Sequence, residues 1–520
     1  MIYCSSDRLY IIIIEIMGQM HQRGRFSLVQ FCTRENRPRW CRSADRCVLM
    51  NKEELFSQGK HPVRTVQFGT GNFLRAFADY MIDIANEKGC FDSDVVMVKQ
   101  VPGAGADRLA SQGGMYHVIL QGKRDGQIVD DVRQVTAVRG TVNPYTDYEA
   151  YRALARLESL RFLISNTTEA GIVYDETDRF DAQPAATYPG RLVQFLYERW
   201  QEFNGDPAKG LIILPVELIE NNGRELKKCV MKFIDLWKLD GNFKTWVEEA
   251  NVFCSTLVDR IVSGKSQAVS EKFPDDSMYV VAEPFGLWVV ESEKDISGEF
   301  TLADAGMPVV FTDDLRPHRE CKVRVLNGTH TGMALISYLC GVDIVADAMA
   351  DPQLRAFIDH LTYEELVPMV PEPLDEARAF ADAVMERFEN PFLNHKLLDI
   401  SLNSVSKLRA RDLPTLRESL AAGKEAKGLI FSLAALLAFD TIAEDEDGQY
   451  YGQRPEGGRY PIREDRKVVE AVQVQTEADV KRVLSDVSLW GEDLSALSGR
   501  VWADLCAIRK NPREAVSGIA

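Results

Sequence analysis

The order of hydrophobic and polar positions divides the chain into two parts with different patterns. Between about residues 62 and 290, short runs rich in β-branched residues alternate with segments whose apolar residues recur at helical spacing. Strands that alternate with helices in this way form parallel sheets with helices on both faces, so an α/β part is predicted here. The predicted strands are Arg64–Phe68, Val95–Val98, Phe162–Ser165, Leu211–Pro215 and Tyr279–Ala282.

Beyond about residue 320, helical spacing dominates the pattern. The stretch Glu444–Asp465 is acidic and rich in Gly and Tyr, and it is predicted to be an exposed loop. We therefore expect a mostly parallel α/β part, then a mainly α-helical part, with a ligand cleft between them. The predicted helices are Val323–Leu339, Pro352–Thr362, Pro373–Phe388, Leu416–Phe439 and Val468–Val487.

Composition and charge narrow the class of protein. The chain has 520 residues, of which 45% are hydrophobic and 27% charged, which excludes a mainly disordered chain or a small disulfide scaffold. The formal net charge of −17 argues against nucleic acid or an anionic membrane as the main partner, because both select for basic surfaces. A small molecule is the expected partner, and the oligomeric state is left open.

Residues 1–49 differ from the rest of the chain. They contain eight arginines and no lysine, and they hold four of the ten cysteines. We interpret this segment as a non-native-looking or disordered leader, with the true start at Met50; a genuine extension and a targeting peptide are the alternatives. Its apolar run Leu9–Met17 is too short to span a bilayer. The other six cysteines are dispersed, which is typical of a reducing compartment and predicts a cytoplasmic location.

The stretch RTVQFGTGNFLRAFADYMIDIANEKG (64–89) carries a dinucleotide signal. A glycine turn between a strand and a helix lets the backbone approach a pyrophosphate, and the helix start offers free N–H groups. The third glycine of the GxGxxG pattern is replaced by Leu74, so a turn with nothing bound is the alternative. Residues 50–290 are thus predicted to be a Rossmann-like dinucleotide-binding domain. The candidate cofactor residues are Phe68, Gly69, Thr70, Gly71, Asn72 and Phe73.

The choice between NAD and NADP stays open on these residues. The acidic residue that usually binds the ribose hydroxyls is absent from the end of the second predicted strand, where Lys99 stands instead. A lysine there could face the 2′-phosphate of NADP.

The stretch RPHRECKVRVLNGTHTGMALISYLC (316–340) carries the candidate chemistry. On an α-helix, with Lys322 at zero, Asn327 falls at about 140° and His330 at about 80°, so the three share one arc. A lysine whose pKa is lowered by burial can exchange a proton with a carbonyl or alcohol oxygen. The amide can stabilise charge on that oxygen, and the imidazole can orient the substrate. A surface Lys, a capping Asn and a buried His are the alternative interpretation.

Together these stretches resemble the long-chain mannitol dehydrogenase family, whose Lys-x4-Asn-x2-His signature is matched in CKVRVLNGTH. The resemblance implies an NAD-dependent, metal-independent oxidoreductase with a helical substrate and catalytic domain over 291–520. It makes Lys322 the general acid/base, Asn327 the oxyanion partner and His330 a substrate ligand. NTTEAG (166–171) and STLVDRI (255–261) also match, and EPFGLWVVE does so at 283–291. The resemblance places Thr168 and Glu169 beside the cofactor, and Asp259 near the substrate.

Within the family, LPVELIENNG (214–223) and NPFLNHKLLDISLNSVSKLRARDLPTL (390–416) are most similar to members that interconvert tagaturonate and altronate. Reduction of fructuronate and oxidation of mannitol or another polyol are alternatives, as is a nucleotide-binding protein without catalysis. A second family asparagine is missing at Leu218, and Asn222 is a candidate substitute. A uronate carboxylate needs a cation, which Lys396, Lys407, Arg409 or Arg411 could supply unless they form a solvated face. Asn394 and His395 are further candidate substrate ligands.

Overall fold

The computed structural model describes residues 59–103, 108–168, 170–263, 265, 267–446 and 448–519. All of them belong to one compact unit, Lys52–Ala520. The predicted leader, the proposed start at Met50 and the candidate cofactor residue Glu169 lie outside the described residues.

Strands and helices alternate through the first part of the described chain. The strands are β1 (Val63–Phe68), β2 (Asp94–Val98), β3 (Tyr116–Arg124), β4 (Gln127–Val135), β5 (Val138–Val142), β6 (Phe162–Ser165), β7 (Ile212–Pro215), β8 (Val252–Phe253), β9 (Ser255–Asp259), β10 (Val262–Ser263), β11 (Val280–Ala282), β12 (Leu287–Glu291) and β13 (Val309–Thr312). The helices are α1 (Asn72–Ala76), α2 (Ala78–Glu87), α3 (Arg108–Ser111), α4 (Tyr148–Ala155), α5 (Tyr188–Glu202), α6 (Asn222–Leu236), α7 (Gly241–Ala250) and α8 (Gln267–Lys272). Short 3-10 helices occupy Pro207–Lys209 and Ala303–Ala305.

A six-stranded parallel sheet in the order β5-β2-β1-β6-β7-β8 forms the centre of this part. Its strands are buried on both faces, which explains their nearly continuous apolar runs. Val66 and Leu163 contribute to the core on one face, whereas Phe162 and Ile164 contribute to the core on the other. The predicted parallel α/β fold is therefore confirmed, and the predicted strands agree to within one residue at their ends.

The strand order reverses between β1 and β6. In open parallel sheets, ligands bind beyond the carboxyl ends of the strands at such a reversal. The glycine turn that follows Phe68 lies at this point. The topology therefore places the candidate cofactor residues where a dinucleotide is expected.

Two smaller sheets pack beside the parallel one, in the orders β10-β11-β3-β4 and β13-β12-β9. The predicted strand Tyr279–Ala282 corresponds to β11, which pairs parallel to β3 and antiparallel to β10 instead of joining the parallel sheet. Strand β12 crosses residue 290 and β13 continues to Thr312, so the sheet-containing part extends beyond the predicted boundary.

The remainder is mainly helical. Its helices are α9 (Arg316–Cys321), α10 (Thr329–Leu339), α11 (Val345–Ala350), α12 (Pro352–Asp359), α13 (Leu374–Phe388), α14 (Leu397–Ile400), α15 (Ser404–Arg411), α16 (Leu413–Ala421), α17 (Lys427–Phe439), α18 (Arg466–Ala471), α19 (Glu477–Leu484), α20 (Val487–Trp490), α21 (Ser498–Lys510) and α22 (Pro512–Ser517). Two π-helices, Lys322–Gly328 and His360–Leu366, continue from α9 and α12. Short 3-10 helices occupy Val367–Met369 and Ser495–Leu497.

Two of the helices predicted for this part are each interrupted in the structure. The helix predicted over Leu416–Phe439 is two helices, α16 and α17, because Gly423 (φ 73°) and Ala426 (φ 48°) adopt left-handed conformations between them. The helix predicted over Val468–Val487 is likewise interrupted between α18 and α19, where Thr476 caps the second helix.

The segment predicted as an exposed loop, Glu444–Asp465, folds into a three-stranded antiparallel sheet of β14 (Glu444–Glu446), β15 (Gln449–Gln453) and β16 (Arg459–Pro461). Tyr460 explains this difference, because its ring stacks on Phe439 at 4.5 Å and its hydroxyl donates to the Phe439 carbonyl. The tyrosines of this segment therefore indicated a packed structure and not an exposed loop.

The helix after the glycine turn is also interrupted, at Phe77 (φ −119°, ψ −79°). Met81, Ile82 and Ala85 of the second helix are buried against the core, whereas Ile84 is half-buried. Within the described residues, no helix combines the length and the apolar character needed to cross a lipid bilayer.

Candidate active site

Lys322 reaches from the helical part to the end of β9. Its Nζ donates a hydrogen bond to the Val258 carbonyl at 2.8 Å and lies 3.7 Å from Asp259 Oδ1. Burial lowers the pKa of Lys322 below its usual 10.5, and Asp259 opposes that shift. An amine of this kind can both release and accept a proton, which is the property the proposed chemistry requires.

Arg387, near the end of α13, forms a buried clamp beside the lysine. It bonds both oxygens of Asp259, at 2.8 and 3.1 Å, and its Nε donates to Glu283 at 2.9 Å. Burial disfavours the charge of Arg387, but the two carboxylates outweigh it and raise its pKa. The sequence analysis missed Arg387, whose partners are 128 and 104 residues away in the chain.

The segment that carries Lys322 and Asn327 is a π-helix, Lys322–Gly328. A π-helix bonds residue i to i+5 and has more residues per turn than an α-helix, so residues five apart lie on more nearly the same face. Asn327 is the fifth residue after Lys322, and the two therefore lie closer together than the ~140° of an α-helix predicts. The α-helical arithmetic was wrong here, in a direction that favours the shared site.

His330 lies in the next turn and is buried. Its ring stacks on Phe388 at 4.1 Å and meets His395 edge-on at 5.1 Å. Its Nε2 has no hydrogen-bond partner among the described residues. Burial lowers its pKa well below 6.5, and nearby positive groups, with His395 first, add to this effect. A neutral imidazole with a free nitrogen is suited to bind a sugar hydroxyl.

A small cavity lies beside these groups. His330, Arg387 and His395 provide its polar lining together with Asn390, and the apolar lining is Ile261, Val345, Phe388 and Leu393. Through Arg387, the structure thus connects four of the predicted residues, Lys322, Asp259, His330 and His395. Asn327 follows Lys322 on the same π-helix and is half-buried. Asn394 is exposed and has no hydrogen bond to the described residues.

Asn222 is occupied by the protein itself. It is fully buried, and its amide donates to the carbonyls of Pro215 and Glu217 while its oxygen accepts from the Thr256 amide. These bonds join the ends of β7 and β9, so the structure gives Asn222 a structural role in place of the predicted contact with substrate. Leu218 is 62% exposed.

The glycine turn has the conformation that close approach of a ligand requires. Gly69 has φ 132°, and a Cβ there would lie 2.8 Å from the Asn166 carbonyl. Gly71 has open space where a Cβ would project. Phe68 is buried against Tyr188 and Phe195, so it can offer a ligand only its main chain.

Arg75 holds this turn in place. Its Nε donates to the Thr70 carbonyl at 3.2 Å and its Nη2 donates to Asn72 Oδ1 at 2.6 Å. Thr70, Asn72 and Phe73 are accordingly at the surface of an ordered turn, and the exposed Thr168 adopts φ 79° at the neighbouring strand end. These residues fit a dinucleotide at the β1–β6 reversal.

The comparisons with known proteins agree with this geometry. The model of the mannitol dehydrogenase Rossmann domain matches residues 63–303, and that of the mannitol dehydrogenase C-terminal domain matches residues 314–505. The chain belongs to the mannitol dehydrogenase family. The family resemblance predicted from the sequence is thereby confirmed.

Several members of the mannitol dehydrogenase family are similar over nearly the whole chain. An altronate oxidoreductase of Bacteroides thetaiotaomicron is 40% identical over 487 residues, which are 90% of this chain and 99% of that protein. An altronate oxidoreductase of Escherichia coli O139:H28 is 39% identical over 486 residues, which are 89% of this chain and 98% of that protein.

Two solved structures share the fold of this mannitol dehydrogenase family member. A D-sorbitol dehydrogenase in substrate-free form has a TM-score of 0.74 at 23% identity, covering 88% of this chain and 95% of that one. A ternary complex of Pseudomonas fluorescens mannitol 2-dehydrogenase with NAD and D-mannitol has a TM-score of 0.61 at 22% identity, covering 88% and 94%. The two-part fold, a parallel sheet followed by helices, is thus that of the mannitol dehydrogenase family.

The four side chains predicted to bind a substrate carboxylate fall into two groups that differ in solvent exposure. Arg411 and Lys407 are partly buried on α15, and Arg411 donates to Thr331, the residue after His330, at 3.1 Å. Lys396 is exposed, and Arg409 is exposed with its guanidinium on the Ser488 carbonyl. In the part of the chain that the structure describes, no three His, Cys, Asp or Glu residues are grouped so that they could hold a metal ion.

Proposed function

We propose that this protein catalyses the NAD-dependent interconversion of D-tagaturonate and D-altronate, a step of hexuronate breakdown. The observation that carries the proposal is the largely buried Lys322 amine beside Asp259, on the helical stretch that also bears Asn327 and His330, in a chain similar over 90% of its length to an altronate oxidoreductase. Lys322, Asn327 and His330 are the proposed catalytic residues.

In the reductive direction, the Lys322 ammonium gives a proton to the ketone oxygen as that oxygen gains negative charge. The Val258 carbonyl and Asp259 hold the ammonium in place before the reaction. The amide of Asn327 donates a hydrogen bond to the same oxygen and stabilises its developing charge. His330 accepts or donates a hydrogen bond at a neighbouring hydroxyl. In the oxidative direction, the neutral Lys322 amine takes the proton back.

The turn Gly69–Gly71, with Thr70, Asn72, Phe73 and the main chain of Phe68, would hold the dinucleotide, and Thr168 and Glu169 are proposed to line the same side. The positive φ of Gly69 and the open space at Gly71 support this fit. When bound, NADH supplies the hydride to the ketone carbon. Lys99 follows β2, where a cation could face a 2′-phosphate, so NADPH is tested beside NADH.

The test is consumption of NADH and of NADPH by the purified protein with tagaturonate, fructuronate and fructose in parallel. We expect turnover with NADH and tagaturonate. Turnover with fructuronate alone would change the stereochemical assignment, and turnover with fructose alone would remove the uronate. Binding of NADH without turnover of any of the three would indicate a nucleotide-binding protein and overturn the proposed activity.

A cytoplasmic location belongs to the same proposal. The six cysteines among the described residues are unpaired, and four of them are buried. Dispersed free thiols suit a reducing compartment, where a soluble catabolic enzyme of this kind would work.

A further inference from the structure

The charges around Lys322 are already balanced. Lys322 and Arg387 carry two positive charges, and Asp259 and Glu283, which contact them, carry two negative ones. Arg387 bonds both carboxylates, so its strongest hydrogen bonds are used inside the protein. A negatively charged substrate therefore needs a positive charge from elsewhere in the cleft.

Helix α15 provides two further positive charges. Lys407 and Arg411 are four residues apart, so they lie on the same face of the helix. Lys407 donates to the Ile400 carbonyl at 2.9 Å, and Arg411 donates to Thr331 Oγ1 at 3.1 Å. Neither has an Asp or Glu within salt-bridge distance among the described residues. This is a costly arrangement for two partly buried cations unless an anion joins them.

Both cations act on the candidate site. The pKa of His330 is lowered by burial first and then by positive groups that include Arg411 and Lys407. Asp412, which follows Arg411, forms no salt bridge with either cation among the described residues; burial raises its pKa well above the usual 3.8, and the charge of Arg411 opposes that shift. The cations of the cleft that lack a salt bridge therefore lie on α15, on the His330 side.

We propose that Lys407 and Arg411 form the subsite for the carboxylate of the sugar-acid substrate, with Arg411 as the main anchor. The planar guanidinium of Arg411 can accept a carboxylate in a bidentate pair while Thr331 fixes its orientation. Lys407 adds a second charge one turn away. This assignment deepens the proposed function and rests on it, because only a uronate or an aldonate brings a carboxylate into the cleft.

The kinetic test compares tagaturonate with tagatose, its neutral counterpart, in the complete protein. Arg411→Gln is expected to lower kcat/KM for tagaturonate about 10- to 100-fold, mainly through KM, because a charge-assisted hydrogen bond is lost. Any turnover of tagatose by Arg411→Gln should be unchanged or higher. Arg409→Gln is the matched control, since Arg409 lies on the same helix but faces solvent, and it should behave as wild type. An equal loss for both sugars in Arg411→Gln overturns the assignment.

Direct binding separates this inference from the proposed activity. Calorimetry with altronate and with the neutral altritol should show altronate binding that weakens in Arg411→Gln, weakens less in Lys407→Gln and falls with ionic strength. If wild type binds altronate and altritol equally, the subsite is wrong even in an active enzyme. If sugar acids bind through Arg411 but are never turned over, the activity is wrong and the subsite stands. NADH binding shows whether each variant is folded. If Arg411→Gln does not fold, weaker altronate binding by Lys407→Gln tests whether α15 holds the carboxylate.

Discussion

Lys322 Nζ lies 2.8 Å from the carbonyl oxygen of Val258, which joins the helical part of the chain to the end of β9 in the sheet-containing part. A main-chain oxygen holds the lysine without neutralising it. Substitution of Val258 cannot remove this hydrogen bond, because any residue there offers the same carbonyl. The role of the amine must therefore be tested on Lys322 itself.

Lys322→Met should lower kcat by at least about 100-fold, because the side chain keeps its length but loses its proton. Binding of NADH, followed by fluorescence titration, should stay within a few-fold of wild type. Lys481→Met is the control, since that lysine is exposed on α19. Near-normal turnover of Lys322→Met would show that another group supplies the proton.

The pH profiles should report the lowered pKa of Lys322. Reduction needs the ammonium and oxidation needs the free amine, so reduction should fall and oxidation should rise with pH through a pKa below 10.5. Asp259 stabilises the ammonium, so Asp259→Asn should move both transitions to lower pH. The measurement is kcat against pH in both directions. A shift to higher pH in the variant would contradict the assignment of this pKa to Lys322.

Arg387→Met should destabilise the protein, because it leaves Asp259 and Glu283 buried without their cation. Removing one partner of a buried ion pair costs about 3–5 kcal/mol, which urea unfolding can measure. The loss should be smaller at pH 5 than at pH 7. Burial raises the pKa of Glu283 in the folded protein above its value in the unfolded chain. As the pH falls, the folded state therefore binds a proton before the unfolded state does, and this protonation stabilises the variant at low pH.

A double variant provides the control for that result. Adding Glu283→Gln to Arg387→Met removes one of the stranded charges, and it should recover part of the lost stability and reduce the pH dependence. If the single variant unfolds at the same urea concentration as wild type, the clamp is not a source of stability.

The two glycines of the nucleotide turn should respond differently to alanine. Gly69→Ala should lower the stability of the protein without nucleotide by at least about 1–2 kcal/mol, because φ is 132° and the added Cβ meets the Asn166 carbonyl. Gly71 has a φ of −69°, which any residue can adopt, and a Cβ there would project into open space. The stability of Gly71→Ala should therefore equal that of wild type. Its affinity for NADH should nevertheless fall if the pyrophosphate passes over it. Thermal unfolding and NADH titration of both variants distinguish strain from contact.

The strands of the parallel sheet could be predicted from the sequence because burial on both faces leaves an apolar run such as Val95–Val98. The breaks at Phe77 and Ala426 could not, since neither residue type favours the backbone conformation it adopts. Tertiary packing outweighs local preference at these positions. The sheet over 444–461 was missed for a related reason, because it is held by the contact of Tyr460 with Phe439, 21 residues away in the chain.

The candidate site was predictable where the signal is local. Lys322, Asn327 and His330 stand close together in the chain, whereas Arg387 meets its partners only after folding. One available signal was an arginine on the apolar face of α13, between Val384 and Phe388, both of which are buried. A charge at such a position requires buried partners of opposite sign, and Asp259 was already a candidate.

The π-helix over Lys322–Gly328 makes segment length as important as residue type. One turn there contains more residues than an α-helical turn, so deleting a single residue between Lys322 and Asn327 would turn everything on one side of the gap by about 100°. Lys322 and His330 could then no longer contact the same sugar molecule. This stretch should accordingly accept exchanges of one aliphatic side chain for another far more readily than any insertion or deletion.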